Sequence, residues 1–203
     1  MTIEIKKHHN HFFCADLHLG HEGVCKFLRN DGTKLRPWDS AAEMDEALIE
    51  NWNSVVRPFD VVYVLGDVVI NRKHLPTISR LNGRKRLIGG NHDIFDLSCY
   101  TKYFEDIKGV KVLSDMVLSH VPLHPLSVSQ RWGTNVHGHT HANSMNSPFH
   151  VCVSMEQIDF TPISLEDLRI KITKHKESFQ NDENSNGDSP CNSGVVPTPD
   201  DRC

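Results

Sequence analysis

Val61-Val62-Tyr63-Val64-Leu65 is five apolar residues without a break, and Gly66-Asp67 ends it. A strand with one wet face alternates apolar and polar residues. An unbroken run suits a strand covered on both faces, as in a parallel sheet. Arg86-Leu87-Ile88 repeats the arrangement and ends at Gly89-Gly90-Asn91-His92-Asp93. Upstream, Phe12-Phe13-Cys14-Ala15 ends at Asp16-Leu17-His18. Between the first two runs, Met44, Leu48, Trp52 and Val55 recur at helical spacing, with Ile49 and Val56 alongside. Asp39 or Ser40 caps this helix and Pro58 closes it. Leu75, Ile78 and Leu81 suggest a second helix over 73–82, with Pro76 in its first turn. Strand, helix, strand, helix, strand implies parallel pairing and an α/β class.

The remaining segments are less regular. Residues 1–10 are polar and carry His8 and His9. Residues 24–28 read as the start of a short helix, followed by a turn at Asp31-Gly32. Residues 94–108 read as a short irregular helix. Two strands fit 110–120, with a turn near Ser114-Asp115, and a further strand fits 149–153. Residues 121–135 form a loop with His124, Arg131 and Trp132, able to contact a substrate. Ser164 caps a last helix that turns Leu165, Leu168 and Ile172 inward. The sequence therefore divides into a domain over 1–175 and a disordered acidic tail over 176–203. The tail carries two basic and six acidic side chains, with too few apolar residues to order it.

The whole chain has a net charge of −4. The tail accounts for all of it, so the body is neutral. That argues against sequence-independent binding along a nucleic-acid backbone, which needs many Lys and Arg. Arg84-Lys85-Arg86 is the one compact basic cluster, read as the solvated entrance of a strand. None of the six cysteines forms a Cys-x-x-Cys pair, so a zinc ribbon is not expected. Cys14 and Cys152 lie in apolar runs and fit a core. The sequence shows no signal-peptide pattern and no apolar stretch long enough for a membrane span. A reducing cytoplasm is the expected compartment.

Histidine is abundant, with 14 copies. Many sit in five fragments that follow apolar runs: Asp16-Leu17-His18, Gly66-Asp67, Asn91-His92-Asp93, Ser119-His120 and Gly138-His139-Thr140-His141. In an α/β sheet such strand ends collect on one side, so distant fragments become neighbours. The pooled candidates are Asp16, His18, Asp67, Asn91, His120, His139 and His141. One metal cannot use seven ligands of this mixture, but two metals sharing a carboxylate can. The absence of sulfur excludes a structural Cys-rich zinc site, and the imidazoles disfavour plain Mg²⁺ or Ca²⁺. Two divalent cations outweigh two carboxylates, so the site should attract an anion such as phosphate. Paired metals hold phosphoryl oxygens and lower the pKa of a shared water, whose hydroxide can attack phosphorus in line. A nearby imidazole can protonate the departing oxygen. His21 is open between a substrate-facing and a structural role.

These five fragments resemble the calcineurin-like metallophosphoesterase superfamily, whose pattern is Asp-x-His, Gly-Asp, Gly-Asn-His-Asp or Glu, His, and Gly-His-x-His. The stretches around Asp16–His21, Met44-Asp45-Glu46 and Asn51-Trp52-Asn53 look like small phage and bacterial phosphoesterases. The resemblance implies a sandwich of two mixed β-sheets flanked by helices. It implies that Asp16, His18 and His141 bind one metal, Asn91, His120 and His139 the other, and that Asp67 bridges. Mn²⁺ is the first choice, with Fe, Zn²⁺, Ni²⁺ and Co²⁺ as alternatives. His92 would be the proton donor, and Asp93 would either orient it or stabilise the turn. Gly66-Asp67 continues as Val68-Val69, without the Asp-Arg-Gly signature of protein phosphatases. A small nucleotide-like phosphodiester or phosphomonoester is the expected substrate. A nuclease and a non-catalytic metal-bound scaffold are the rival readings.

Overall fold

The computed structural model describes residues 9–185. The three apolar runs become β1 (His11–Cys14), β2 (Val61–Val64) and β3 (Arg84–Ile88). They pair in parallel, with Cys14 beside Val64 and Val64 beside Leu87. All four residues of β2 are buried, as the unbroken apolar run requires. β4 (Asp106–Lys108) extends this sheet in parallel beyond β3. β9 (Ile163–Ser164) closes the other side, antiparallel to β1. The order is β4-β3-β2-β1-β9.

A second sheet holds β5 (Val110–Leu113), β6 (Met116–Ser119), β7 (Thr134–His137) and β8 (His150–Cys152), in that order. β5 and β6 form an antiparallel hairpin, with Ser114 in its turn at φ 57°. β6, β7 and β8 are parallel. Both sheets are therefore mixed, and helices flank them in an α/β fold. The sheets meet where the chain leaves β1 and β8. Ala15 N–H donates to Val153 O at 2.9 Å, and Met155 N–H donates to Ala15 O at 3.1 Å. Phe13, Val62, Leu118, Val136 and Val153 share one core across both sheets.

The helix α1 (Ala41–Val55) is capped by Ser40, whose hydroxyl accepts from Glu43 N–H. It buries Met44, Leu48, Ile49 and Trp52, and the Trp52 indole N–H reaches Asn82 O at 2.9 Å. Val55, expected on the apolar face, is instead half-exposed on the last turn, and Val56 is buried in its place. The segment expected as a helix over 73–82 is a 3₁₀ helix, Arg72–Arg80, with Pro76 in its middle. Pro76 has no N–H to give either kind of turn, and in an α-helix its ring would also clash with the carbonyl of Arg72.

Other expectations are corrected. Residues 24–26 are turns, not the start of a helix. They lead into a small Leu28–Lys34 bridge around the Asp31-Gly32 turn. The helix expected across 94–108 is the single turn α2 (Leu97–Tyr100), and β4 follows it. The loop over 121–135 contains α3 (Pro125–Ser129). The basic cluster is not simply solvated. Lys85 is buried and its ammonium donates to Leu81 O and Gly83 O. The last helix, α4 (Leu165–Ser185), continues ten residues past the expected boundary at 175. His175 contacts Ser147 O at 3.0 Å, and its ring packs on Phe179. Residues 186–203, the rest of the expected tail, and His8 lie outside the described residues.

Candidate metal centre

Each fragment sits just past the carboxyl end of a strand: Asp16 after β1, Asp67 after β2, Asn91 after β3, His120 after β6 and His139 after β7. Loops from both sheets must converge tightly there, and glycines make this possible. Gly66 has φ 87°, and a Cβ on it would lie 2.4 Å from the His120 ring and 2.7 Å from Gly90 Cα. A Cβ on Gly138 would lie 2.5 Å from Ala15 Cβ and 2.7 Å from an Asp16 oxygen. Asp16, His18, Asp67, His139 and His141 all have φ between 50° and 69°. A non-glycine residue held there costs about 1–3 kcal/mol, and such residues gather at functional sites. Five candidate ligands share this conformation because the loops turn sharply to aim their side chains inward.

The ligand atoms of Asp16, His18 and His141 lie within 4.8 Å of one another, and so do those of Asp16, Asp67 and His120. The Asp67 carboxylate faces both groups. One oxygen is 3.8 Å from His18 Nε2 and the other is 3.5 Å from His120 Nε2. Asn91 Oδ1 lies 2.8 Å from His120 Nε2 and 3.0 Å from His139 Nδ1. The Asn91 side chain therefore joins the group through His120, and the His139 ring joins it through Asn91.

The donor set fits cations. Asp16 is fully buried, and its Oδ1 has no hydrogen-bond partner among the described residues. His120 Nδ1 lies 2.8 Å from Leu65 O. A carbonyl only accepts, so that nitrogen carries a proton, and Nε2 is the ring atom turned toward Asn91 Oδ1 and Asp67. Lone pairs crowd in this way around a positive ion, with the far ring nitrogen fixed by a backbone carbonyl.

Several supporting residues carry no motif. Ser154 O–H donates to Asp16 Oδ2 at 2.6 Å, and His139 N–H donates to the same oxygen. Arg36 is completely buried. Its guanidinium donates to Leu17 O, to Asp16 O and, at 2.8 Å, to Glu156. Glu156 in turn lies 3.2 Å from His141 Nδ1. Burial pushes the Asp16 carboxyl up, although His141 and Ser154 oppose the shift. Burial, then the Arg36 charge, holds His18 well below the usual imidazole range. Burial would lower His141 too, but Glu156 and Asp16 outweigh it and hold the ring above its usual range. The only sequence signal for Arg36 and Glu156 was a charged residue set inside an apolar stretch.

His92 is not in the cluster of ligand atoms. Its side chain is 51% exposed, its Nε2 is 4.0 Å from Asp67, and its ring centre is 5.8 Å from that of His18. Asp93 is a positioning residue. Its carboxylate accepts N–H groups from Gly90, Asp67 and Val68 at 2.8, 2.9 and 3.1 Å. Both oxygens thus clamp the β2 and β3 loops together, the second of the two roles expected for Asp93. His21 is half-exposed, with its ring 5.7 Å from His18. Arg131 packs on Trp132 within the 121–135 segment.

The sequence profile of the calcineurin-like phosphoesterases matches residues 12–188, which takes in every fragment above. An uncharacterized protein of Methanocaldococcus jannaschii is 32% identical over 172 residues, covering 79% of this chain and 89% of its own length. Gene 66 protein of Mycobacterium phage L5 is 39% identical over 89 residues, which is 41% of this chain and 40% of the phage protein. A crystal structure of a protein of unknown function from Aquifex aeolicus superposes with a TM-score of 0.62 at 24% identity. It covers 80% of this chain and 98% of the other, a likeness of fold.

Proposed function

The chain belongs to the calcineurin-like phosphoesterase family, and from that premise we propose that it hydrolyses a small nucleotide-like phosphodiester or phosphomonoester. Family membership makes it a metal-dependent phosphoester hydrolase. In this reading Asp16, His18 and His141 hold one divalent cation. Asn91, His120 and His139 hold a second, and Asp67 lies across both, with Mn²⁺ the first choice of metal. The observation that carries the reading is the crowding of ligand atoms from Asp16, His18, Asp67, His120 and His141, above all the buried Asp16 Oδ1, which has no hydrogen-bond partner among the described residues.

Bound there, two cations supply charge neutralisation for phosphoryl oxygens and a water acidic enough to act as nucleophile near neutral pH. The chain supplies the rest. Ser154, Arg36 and Glu156 keep Asp16 and His141 in fixed orientations. His92 is close enough to reach a phosphate ester at the centre and open enough to meet a departing group. It gives its proton to the leaving oxygen. No helix among the described residues is long and apolar enough to cross a membrane.

A hydrolysis panel tests the reading. Protein prepared with Mn²⁺ is offered an aryl phosphomonoester, an aryl phosphodiester, 2′,3′- and 3′,5′-cyclic nucleotides and single-stranded DNA. Turnover of the small esters, lost on chelation, is the expected result. Turnover of DNA alone would move the assignment to a nuclease, and no turnover with any divalent metal would leave a binding scaffold.

A further inference from the structure

Beside the candidate centre lies a groove of about 450 Å³ that the phosphate chemistry does not use. His141 forms its inner wall, and Phe27, Leu28 and Leu35 supply an apolar side. We infer that this groove is the subsite for the organic part of the substrate, and that it takes a planar nucleobase stacked on Phe27. The inference rests on the hydrolase reading and extends it to the substrate class.

Continuity with the centre is the first ground. His141 belongs both to the groove and to the ligand cluster. On the opposite side the rings run in sequence: Phe27 meets His21 edge-on at 5.9 Å, and His21 lies 5.7 Å from His18. A phosphate at the ligand cluster therefore has its ester substituent pointed along a path walled by rings. The second ground is exposure. Phe27 and Leu28 are 52% and 63% exposed, next to each other where the chain enters the Leu28–Lys34 bridge. An exposed aromatic face beside a polar site is a platform for stacking, and every base has a π-face to offer it.

The polar lining favours a base over a second phosphate. Arg29 and Asp31 both line the groove, and their charges cancel. Asp31 Oδ1 accepts the Thr33 N–H and hydroxyl, while Oδ2 and the Arg29 guanidinium also line the groove. Beside this balanced pair stand the side chains of Asn30 and Asn143. An amide presents both donors and an acceptor, which suits the mixed edge of a base. A long polyanion would need a basic track, and this groove has one cation matched by one anion.

Binding separates the subsite from the centre. Mn²⁺-loaded protein is titrated calorimetrically with adenosine 3′- and 5′-monophosphate and, separately, with inorganic phosphate. The nucleotide should bind at least tenfold more tightly than phosphate. Phe27→Ala should remove about tenfold of that preference, in line with the loss of base stacking, while Phe27→Tyr keeps it. Phosphate affinity should be the same in all three proteins. Phe27 is half in solvent, so the substitution leaves the core untouched. If phosphate binds but the nucleotide gains nothing, or Phe27→Ala keeps the full preference, the subsite is wrong and the hydrolase reading stands. If neither ligand binds and no ester is turned over, the hydrolase reading fails and takes the subsite with it.

Discussion

The two ends of the first sheet are built to opposite rules. At its amino end the buried polar groups are matched. The Asp60 carboxylate accepts the N–H groups of Asn10 and Arg57 at 3.0 and 2.9 Å. The Lys85 ammonium meets two carbonyls, and at the surface beside it Arg84 meets Glu105. At its carboxyl end, β1 and β2 run into Asp16, His18 and Asp67, all in left-handed conformations, and Asp16 Oδ1 has no hydrogen-bond partner among the described residues. The same strands thus end in satisfied polar pairs on one side and in unspent lone pairs on the other. One end is organised for stability. The other holds conformational cost that only a ligand justifies.

That contrast can be broken. The largest effect belongs to His92, which should matter for rate and not for folding. His92→Ala should lower turnover about 10²–10⁴-fold, the usual worth of a general acid. Two metals per chain and an unchanged melting temperature should remain. The loss should shrink for a nitrophenyl ester, whose leaving group needs little protonation. An equal loss on good and poor leaving groups would assign His92 to phosphate positioning.

The opposite end predicts the opposite outcome. Asp60→Ala strands two N–H donors and should cost about 2–3 kcal/mol of stability, read by urea unfolding, with kcat of the folded protein unchanged. A rate loss without a stability loss would erase the distinction between the ends.

A third test lies outside both. We propose that the domain extends to the end of α4, so that truncation after Ser185 leaves the melting temperature unchanged. Truncation after His175 removes Phe179 and the last turns of α4. It should cost about 1 kcal/mol, or roughly 2–4 °C for a chain of this size. Equal melting temperatures for both truncations would return the boundary to 175.

The smallest effect has an unusual sign. His139 is exposed with φ 69°. His139→Gly relieves that conformation and should stabilise the metal-free protein by up to about 1 kcal/mol, while metal affinity falls. Destabilisation of the metal-free form would mean that the loop carries no strain.

The candidate ligands were legible because each lies within three residues of a glycine or at the close of an apolar run, so the signal is local. What supports them was not. Arg36 and Glu156 are 120 positions apart, and nothing near either residue announces its partner. β4 was missed because Asp106-Ile107-Lys108 has one apolar residue in three. Its strand conformation comes from pairing with β3, a tertiary effect that outweighs intrinsic preference. The exposed face of Lys85 was misjudged for the same reason, since the carbonyls that receive its ammonium are set by the turn before it.

The seam between the sheets has a further consequence. Close to it the sheets are tied by the Ala15 and Ser154 backbone, and the candidate ligands come from both sides: His18 and Asp67 from one, His120 and His141 from the other. A cation held by such a set acts as a reversible crosslink whose strength is set by mass action. An ion that binds only the folded chain, present at a hundred times its dissociation constant, adds about 2.7 kcal/mol of stability. Resistance to heat and to proteolysis would then follow the free metal concentration around the protein, so that its lifetime, and not only its rate, reports metal supply.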